Sequence, residues 1–168
     1  MNPLPKEFYT RDVLEVAPDL LGKLLCRRKP DGRVVQLRIT ETEAYRGEED
    51  TACHARAGKT PRTAVLYEPG GIAYVYLCYG IHFLMNIVTG SAGIPQAALI
   101  RGAEGYKGPG RLTKAMGISV LDNRADLVTG GFIWLEDDGF SSGHFTSARI
   151  GIDYASEKDR NLPWRFYV

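Results

Sequence analysis

The sequence predicts a mixed α+β fold, one domain over residues 1–168 built on a curved, mainly antiparallel sheet from which a β-hairpin protrudes. Three observations carry that expectation. Two long runs rich in β-branched and aromatic residues, Val34–Tyr45 and Ile72–Val88, are bounded or broken by turn residues. Helical spacing is confined to short segments, at 11–21 and 110–116. A chain of 168 residues, 44% hydrophobic and 24% charged, is sized for a single core, which argues against both a two-domain cofactor enzyme and a disordered segment.

The elements follow in order. Thr10 caps a first helix in which Leu14, Ala17 and Leu21 share a face and Pro18 marks a kink or restart. Lys23–Arg28 reads as a strand, Pro30-Asp31-Gly32 as a turn, and Val34–Tyr45 as the longest strand, together a hairpin. From Gly47 to Pro69 the pattern is polar and broken. Short helices are expected near Glu48–His54 and after Thr60-Pro61, where Thr can cap and Pro suits a first turn. Ile72–Val88 forms a second hairpin turning at Tyr79-Gly80, where glycine suits positive φ. A two-residue turn there puts Tyr74, Tyr76, Phe83 and Met85 on one face. Gln96–Gly102, Phe132–Glu136 and Ser147–Ile152 are further strands, and Gly108-Pro109-Gly110 opens a helix to Met116.

Several classes are disfavoured. The nearly uncharged stretch from Gly70 to Leu99 is broken by glycines, a proline, His82 and Asn86, which is sheet-like and not a membrane span. The first seven residues lack the apolar core of a signal peptide, so a cytoplasmic location is expected. Cys26, Cys53 and Cys78 are odd in number with no Cys-x-x-Cys pair, and adjacent Cys53 and His54 would point to opposite faces of a strand; no disulfide framework, metal or cofactor is expected. The formal charge is only +1, yet residues 51–115 carry seven Lys/Arg against two acids. That basic third is either a phosphate-facing surface or a fluctuation of composition.

Two constellations could carry chemistry. In Ile39–Tyr45, period two puts Glu41, Glu43 and Tyr45 on one face, the carboxylates about 7 Å apart at Cα. Like charges crowded beside a ring raise one pKa, as a general acid or base requires; the bland alternative is a solvated edge strand. Tyr79, at a hairpin tip, is hard to bury within its own domain, so it is either a wedge or part of a core layer.

The runs Glu41-Thr42-Glu43-Ala44-Tyr45, Glu49-Asp50 with His54 following, Thr60-Pro61-Arg62, Tyr74-Val75-Tyr76 with Tyr79-Gly80, Met85-Asn86, Gly108–Ala115 and Pro163–Val168 closely resemble, in unchanged order, the 3-methyladenine DNA glycosylases of the mammalian alkyladenine type. The resemblance implies a metal-free, monofunctional glycosylase that hydrolyses the N-glycosidic bond of alkylated or deaminated purines flipped out of duplex DNA. On that resemblance Glu43 is the general base, Arg101 and the Ile150 carbonyl hold its water, and Tyr45, His54 and Tyr76 line the base pocket. Asn86 excludes the 2-amino group of guanine, Tyr79 fills the gap in the duplex, and Arg62 and Lys114 contact DNA. Glu41 is expected to be a packing or strand-pairing partner. The expected partner is damaged duplex DNA, engaged by a monomer.

Some positions depart from that pattern. Only six residues separate Arg101 from Gly108 where many relatives carry a longer insertion, which puts DNA contacts on that side in doubt. Ala57, Lys59, Thr63, Ile81 and His82 also differ. Two rivals stand beside the glycosylase: a non-catalytic nucleic-acid-binding module, and a two-carboxylate hydrolase of another sugar using Glu41 with Glu43. The second leaves the aromatic tip and basic loop unexplained.

Overall fold

The computed structural model describes residues 2–168. In chain order the elements are α1 (Lys6–Tyr9), α2 (Val13–Asp19), β1 (Leu24–Arg28), β2 (Val34–Arg46), β3 (Ala73–Cys78), β4 (His82–Val88), β5 (Gln96–Ala103), β6 (Tyr106–Lys107), α3 (Pro109–Met116), β7 (Ile133–Glu136), β8 (Phe145–Ser147), α4 (Glu157–Arg160) and β9 (Arg165–Tyr167). Short 3-10 turns cover His54–Ala57, Ala64–Tyr67 and Val120–Asp122. The fold is mixed α+β, and every strand pairing is antiparallel.

The long β2 organises the sheet, whose order is β3-β4-β5-β2-β1-β7. Its first half pairs with β1 and its second with β5, while β9 takes its other edge at Glu41–Glu43. The register against β5 shifts around Glu41. Such a bulge bends a strand and increases its twist, re-aiming the side chains that follow. Ile39, Leu25, Met85, Ile87, Ile100, Leu112 and Met116 are fully buried and join sheet and α3 in one core. Helix α3 opens at Pro109 as its sequence foretells, and left-handed Gly117 closes it past its end. Thr113 Oγ1 donates to the Phe83 carbonyl at 2.7 Å, tying α3 to the second hairpin.

Several local expectations need correction. Asp12, not Thr10, caps α2, accepting from the Leu14 N–H at 2.9 Å, while Thr10 ends an unforeseen α1 and donates to Glu7. The loop helices near Glu48–His54 and after Thr60-Pro61 are instead turns and single 3-10 turns, because Thr60 bonds to Thr63 and locks a tight turn ahead of Ala64. Residues 148–152 are not strand; β8 ends at Ser147 and the chain turns inward at buried Arg149.

The hairpin register also differs by one residue. Tyr79 and Gly80 both have positive φ, 51° and 67°, and Ile81 is needed to complete the loop, so Cys78 faces His82 and Tyr74 faces Asn86. A one-residue slip moves a strand's side chains to the opposite face. Tyr74 and Tyr76 therefore share their face with Leu84 and Asn86, and Phe83 and Met85 lie on the other.

Candidate active site

A cleft of about 820 Å³ opens between the second hairpin, the 3-10 turn at His54 and the start of α3. Register brings Tyr74, Tyr76, Leu84 and Asn86 into its wall from β3 and β4, and β5 adds Ala97, Leu99 and Arg101. Tyr45 and Ile150 close the inner end. At the hairpin tip Tyr79 is 88% exposed, more than Tyr154, the other exposed tyrosine along the cleft.

Glu43 stands directly behind this inner wall. Its side chain is completely buried, yet three groups that line the cleft reach it. The Ile150 N–H donates to Oε1 at 2.7 Å, the Tyr45 hydroxyl donates to Oε2 at 2.8 Å, and Arg101 Nε lies 3.6 Å from Oε1. Burial raises its pKa, and Arg101, the Ile150 amide and the Tyr45 hydroxyl oppose that shift. Desolvation, then Glu43, pushes the Tyr45 hydroxyl far up, so it stays a donor.

Glu41 is mostly withdrawn from solvent. Its Oε1 lies 3.0 Å from Arg101 Nε and 2.5 Å from Arg165 Nε, a carboxylate held between two guanidiniums. The Arg101 Nε has no aligned hydrogen bond, so its attraction to both carboxylates is Coulombic.

The aromatic wall is built around His54. Its Nδ1 is 2.9 Å from the Tyr74 hydroxyl and its ring is 4.7 Å from that of Tyr76. Burial lowers its pKa to about 4, helped by Arg62 and Arg56, so the imidazole is neutral at pH 7. Asn86 is buried and donates from Nδ2 to the Tyr74 carbonyl at 3.2 Å. The Arg62 guanidinium sits 5.3 Å from the Tyr76 ring centroid at the cleft mouth.

Of the residues singled out by sequence, Tyr45, His54, Arg62, Tyr76, Tyr79, Asn86, Arg101 and Ile150 all line the cleft. Glu43 backs it, and Ile150 meets that carboxylate through its amide N–H. Lys114 is exposed on α3 outside the cleft wall, whereas Lys107 and Arg111, flanking the helix start, line it. Sequence reasoning missed those two cations, His82 and Tyr154. The basic count over 51–115 contained the two cations without ranking them, and nothing local marks Tyr154. Among the described residues no group of three or more His, Cys, Asp and Glu is arranged to hold a metal ion, and no helix is long and apolar enough to cross a membrane.

Comparison with known proteins adds the family. A protein of Methanocella arvoryzae is 45% identical over 187 aligned positions, covering 99% of this chain and 92% of the relative. One of Desulfitobacterium hafniense is 40% identical over 196 positions, covering 100% and 96%. Both carry the name "Putative 3-methyladenine DNA glycosylase". Both alignments exceed 168 positions, so the relatives hold residues with no counterpart here. The family model of the methylpurine-DNA glycosylases matches residues 7–107 and 103–168, two pieces that meet at the tight β5–β6 turn, within the short segment between Arg101 and Gly108. The chain belongs to the methylpurine-DNA glycosylase family.

Proposed function

We propose that this protein is a monofunctional DNA glycosylase of the mammalian alkyladenine type, acting as a monomer on duplex DNA that holds alkylated or deaminated purines. One observation carries the reading: a desolvated carboxylate, Glu43, lies against the inner wall of an aromatic cleft whose rim bears the exposed Tyr79. The damaged nucleotide leaves the stack and enters the cleft, and Tyr79 fills the gap from the minor-groove side. The flipped purine lies among Tyr45, His54 and Tyr76. A cationic alkylpurine gains about 0.5–2 kcal/mol from ring faces that a normal base does not.

At the inner end, a water between Arg101, Ile150 and Glu43 attacks C1′. Its proton passes to Glu43, its oxygen bonds the anomeric carbon, and the base departs with the electrons of the N-glycosidic bond, leaving an abasic sugar and a free purine. A raised pKa makes Glu43 a stronger proton acceptor, and its charge stabilises the oxocarbenium-like sugar. Asn86, held by the Tyr74 carbonyl, meets the edge where guanine carries its 2-amino group. Arg62 and Lys114 supply phosphate contacts.

The test is alkali-labile strand breaks in methylated duplex. Wild type is expected to create them, and Glu43→Gln is expected to lose them while still binding an abasic-site duplex. Tight binding by wild type without breaks would instead identify a non-catalytic binding module.

A further inference from the structure

We propose that the buried Arg149–Asp50 pair is a positioning device that aligns the Ile150 amide and the Tyr45 hydroxyl on Glu43. The inference rests on the role of Glu43 given above. Both side chains are withdrawn from solvent, and the pairing is bidentate at 2.6 and 2.9 Å. Asp50 also accepts from the Arg46 and Ala52 N–H groups, so its oxygens are fully engaged.

Three connections lead from this pair to Glu43. The β2–β9 ladder ends where the Ala44 N–H donates to the Trp164 carbonyl. There Arg149 takes over as a substitute strand, donating to the Ala44 carbonyl at 2.9 Å between Glu43 and Tyr45. Its guanidinium lies 4.9 Å from the Tyr45 ring centroid and 5.1 Å from that of Trp164, fixing the ring whose hydroxyl donates to Oε2. The next residue is Ile150, whose N–H donates to Oε1, so anchoring Arg149 also places that amide.

An ion pair is an expensive way to fill a core. Removing two charges from water usually offsets their attraction, and apolar residues of equal volume serve stability as well or better. What apolar residues cannot supply is a set of fixed donors to Ala44 and Asp50. The charges also bear on Glu43, which is faced by Arg101 from β5 and by Glu41 and Tyr45 from β2, with Arg165 of β9 reaching it through Glu41. Paired, Arg149 and Asp50 cancel; without the aspartate, a lone guanidinium remains behind Tyr45.

The measurement is single-turnover base release from a duplex bearing one alkylated purine, taken across pH, beside affinity for an abasic-site duplex. Asp50→Asn is expected to lower the rate at least tenfold, to leave affinity within about twofold, and to move the acidic limb to lower pH because uncompensated positive charge favours the Glu43 carboxylate. The double variant Asp50→Leu with Arg149→Met removes both charges and keeps the volume. It is expected to fold, to bind, and to be slow with its limb unmoved. A wild-type rate in either variant, or a double variant that does not fold, would overturn the proposal, the latter by making the pair a scaffold element. Failure of the Glu43 reading looks different, because Glu43→Gln would then release base at the wild-type rate.

Discussion

Truncating Tyr79 to glycine and, separately, to alanine removes the same ring from two different backbones. The ring is 88% exposed, so only about an eighth of the ~200 Å² an aromatic can bury is lost, roughly 0.6 kcal/mol in either variant. Alanine keeps the left-handed φ of 51°, which disfavours an L-residue by about 1–2 kcal/mol. Glycine relieves that strain and gives back about 0.4–1 kcal/mol through its freer unfolded chain. The glycine variant should therefore be more stable than the alanine variant by roughly 0.5–1 kcal/mol, about 1–4 °C in Tm. Base release should fall by the same factor in both, on the order of 5- to 150-fold, if the ring stacks within the duplex for about 1–3 kcal/mol. Paired thermal melts and single-turnover release assays measure both quantities. An alanine variant as stable as glycine would refute the strain argument, and wild-type release from either would remove Tyr79 from the mechanism.

Further outcomes follow from the same contacts. Glu43, its pKa raised by burial, favours folding in its protonated form; that stability is present at low pH and lost as pH rises through the raised pKa. Glu43→Gln should accordingly raise Tm more at pH 8 than at pH 4, which a melt series checks. For His54, shifted from 6.5 to about 4, the sign is opposite: its contribution is complete above pH 6.5 and fades toward pH 4, by roughly 2–3 kcal/mol. His54→Gln should flatten that acid slope. Gly70→Ala would set a Cβ 2.1 Å from the Tyr9 carbonyl oxygen, and an ordered backbone on both sides should make it destabilising by about 1–3 kcal/mol or more in urea unfolding. Affinity for abasic-site duplex should drop steeply with salt if Arg62, Lys107 and Arg111 meet phosphates, and a flat dependence would exclude them.

Much of this was legible in the chain itself, for identifiable reasons. The Pro30-Asp31-Gly32 turn between apolar runs specified the first hairpin, and Gly108-Pro109-Gly110 marked the start of α3, because these signals are local. The Tyr79 tip was equally plain, but its loop length was not. Whether a turn takes two residues or three depends on the φ adopted by Tyr79, and that single residue decides which faces Phe83 and Asn86 occupy. Period two placed Glu43 beside Tyr45 and left the fate of Glu41 open, because Arg165 approaches from the far end of the chain. Asp50 stood in one of the runs that carry the resemblance, but nothing in the sequence pointed to its pairing with Arg149. A charged residue usually marks the surface, and only the fold reveals that these two sit 99 residues apart in sequence and within 2.6 Å in space.

The role of Glu43 is best decided by the rate of base release in single turnover, followed from pH 4 to 9 in wild type and in Glu43→Gln with DNA binding saturated. A general base at this position should give an acidic limb in wild type that disappears in the glutamine variant, whose rate should be flat and about 10²–10⁴-fold lower. A variant that keeps both the limb and a rate within a few-fold of wild type would show that the proton goes elsewhere.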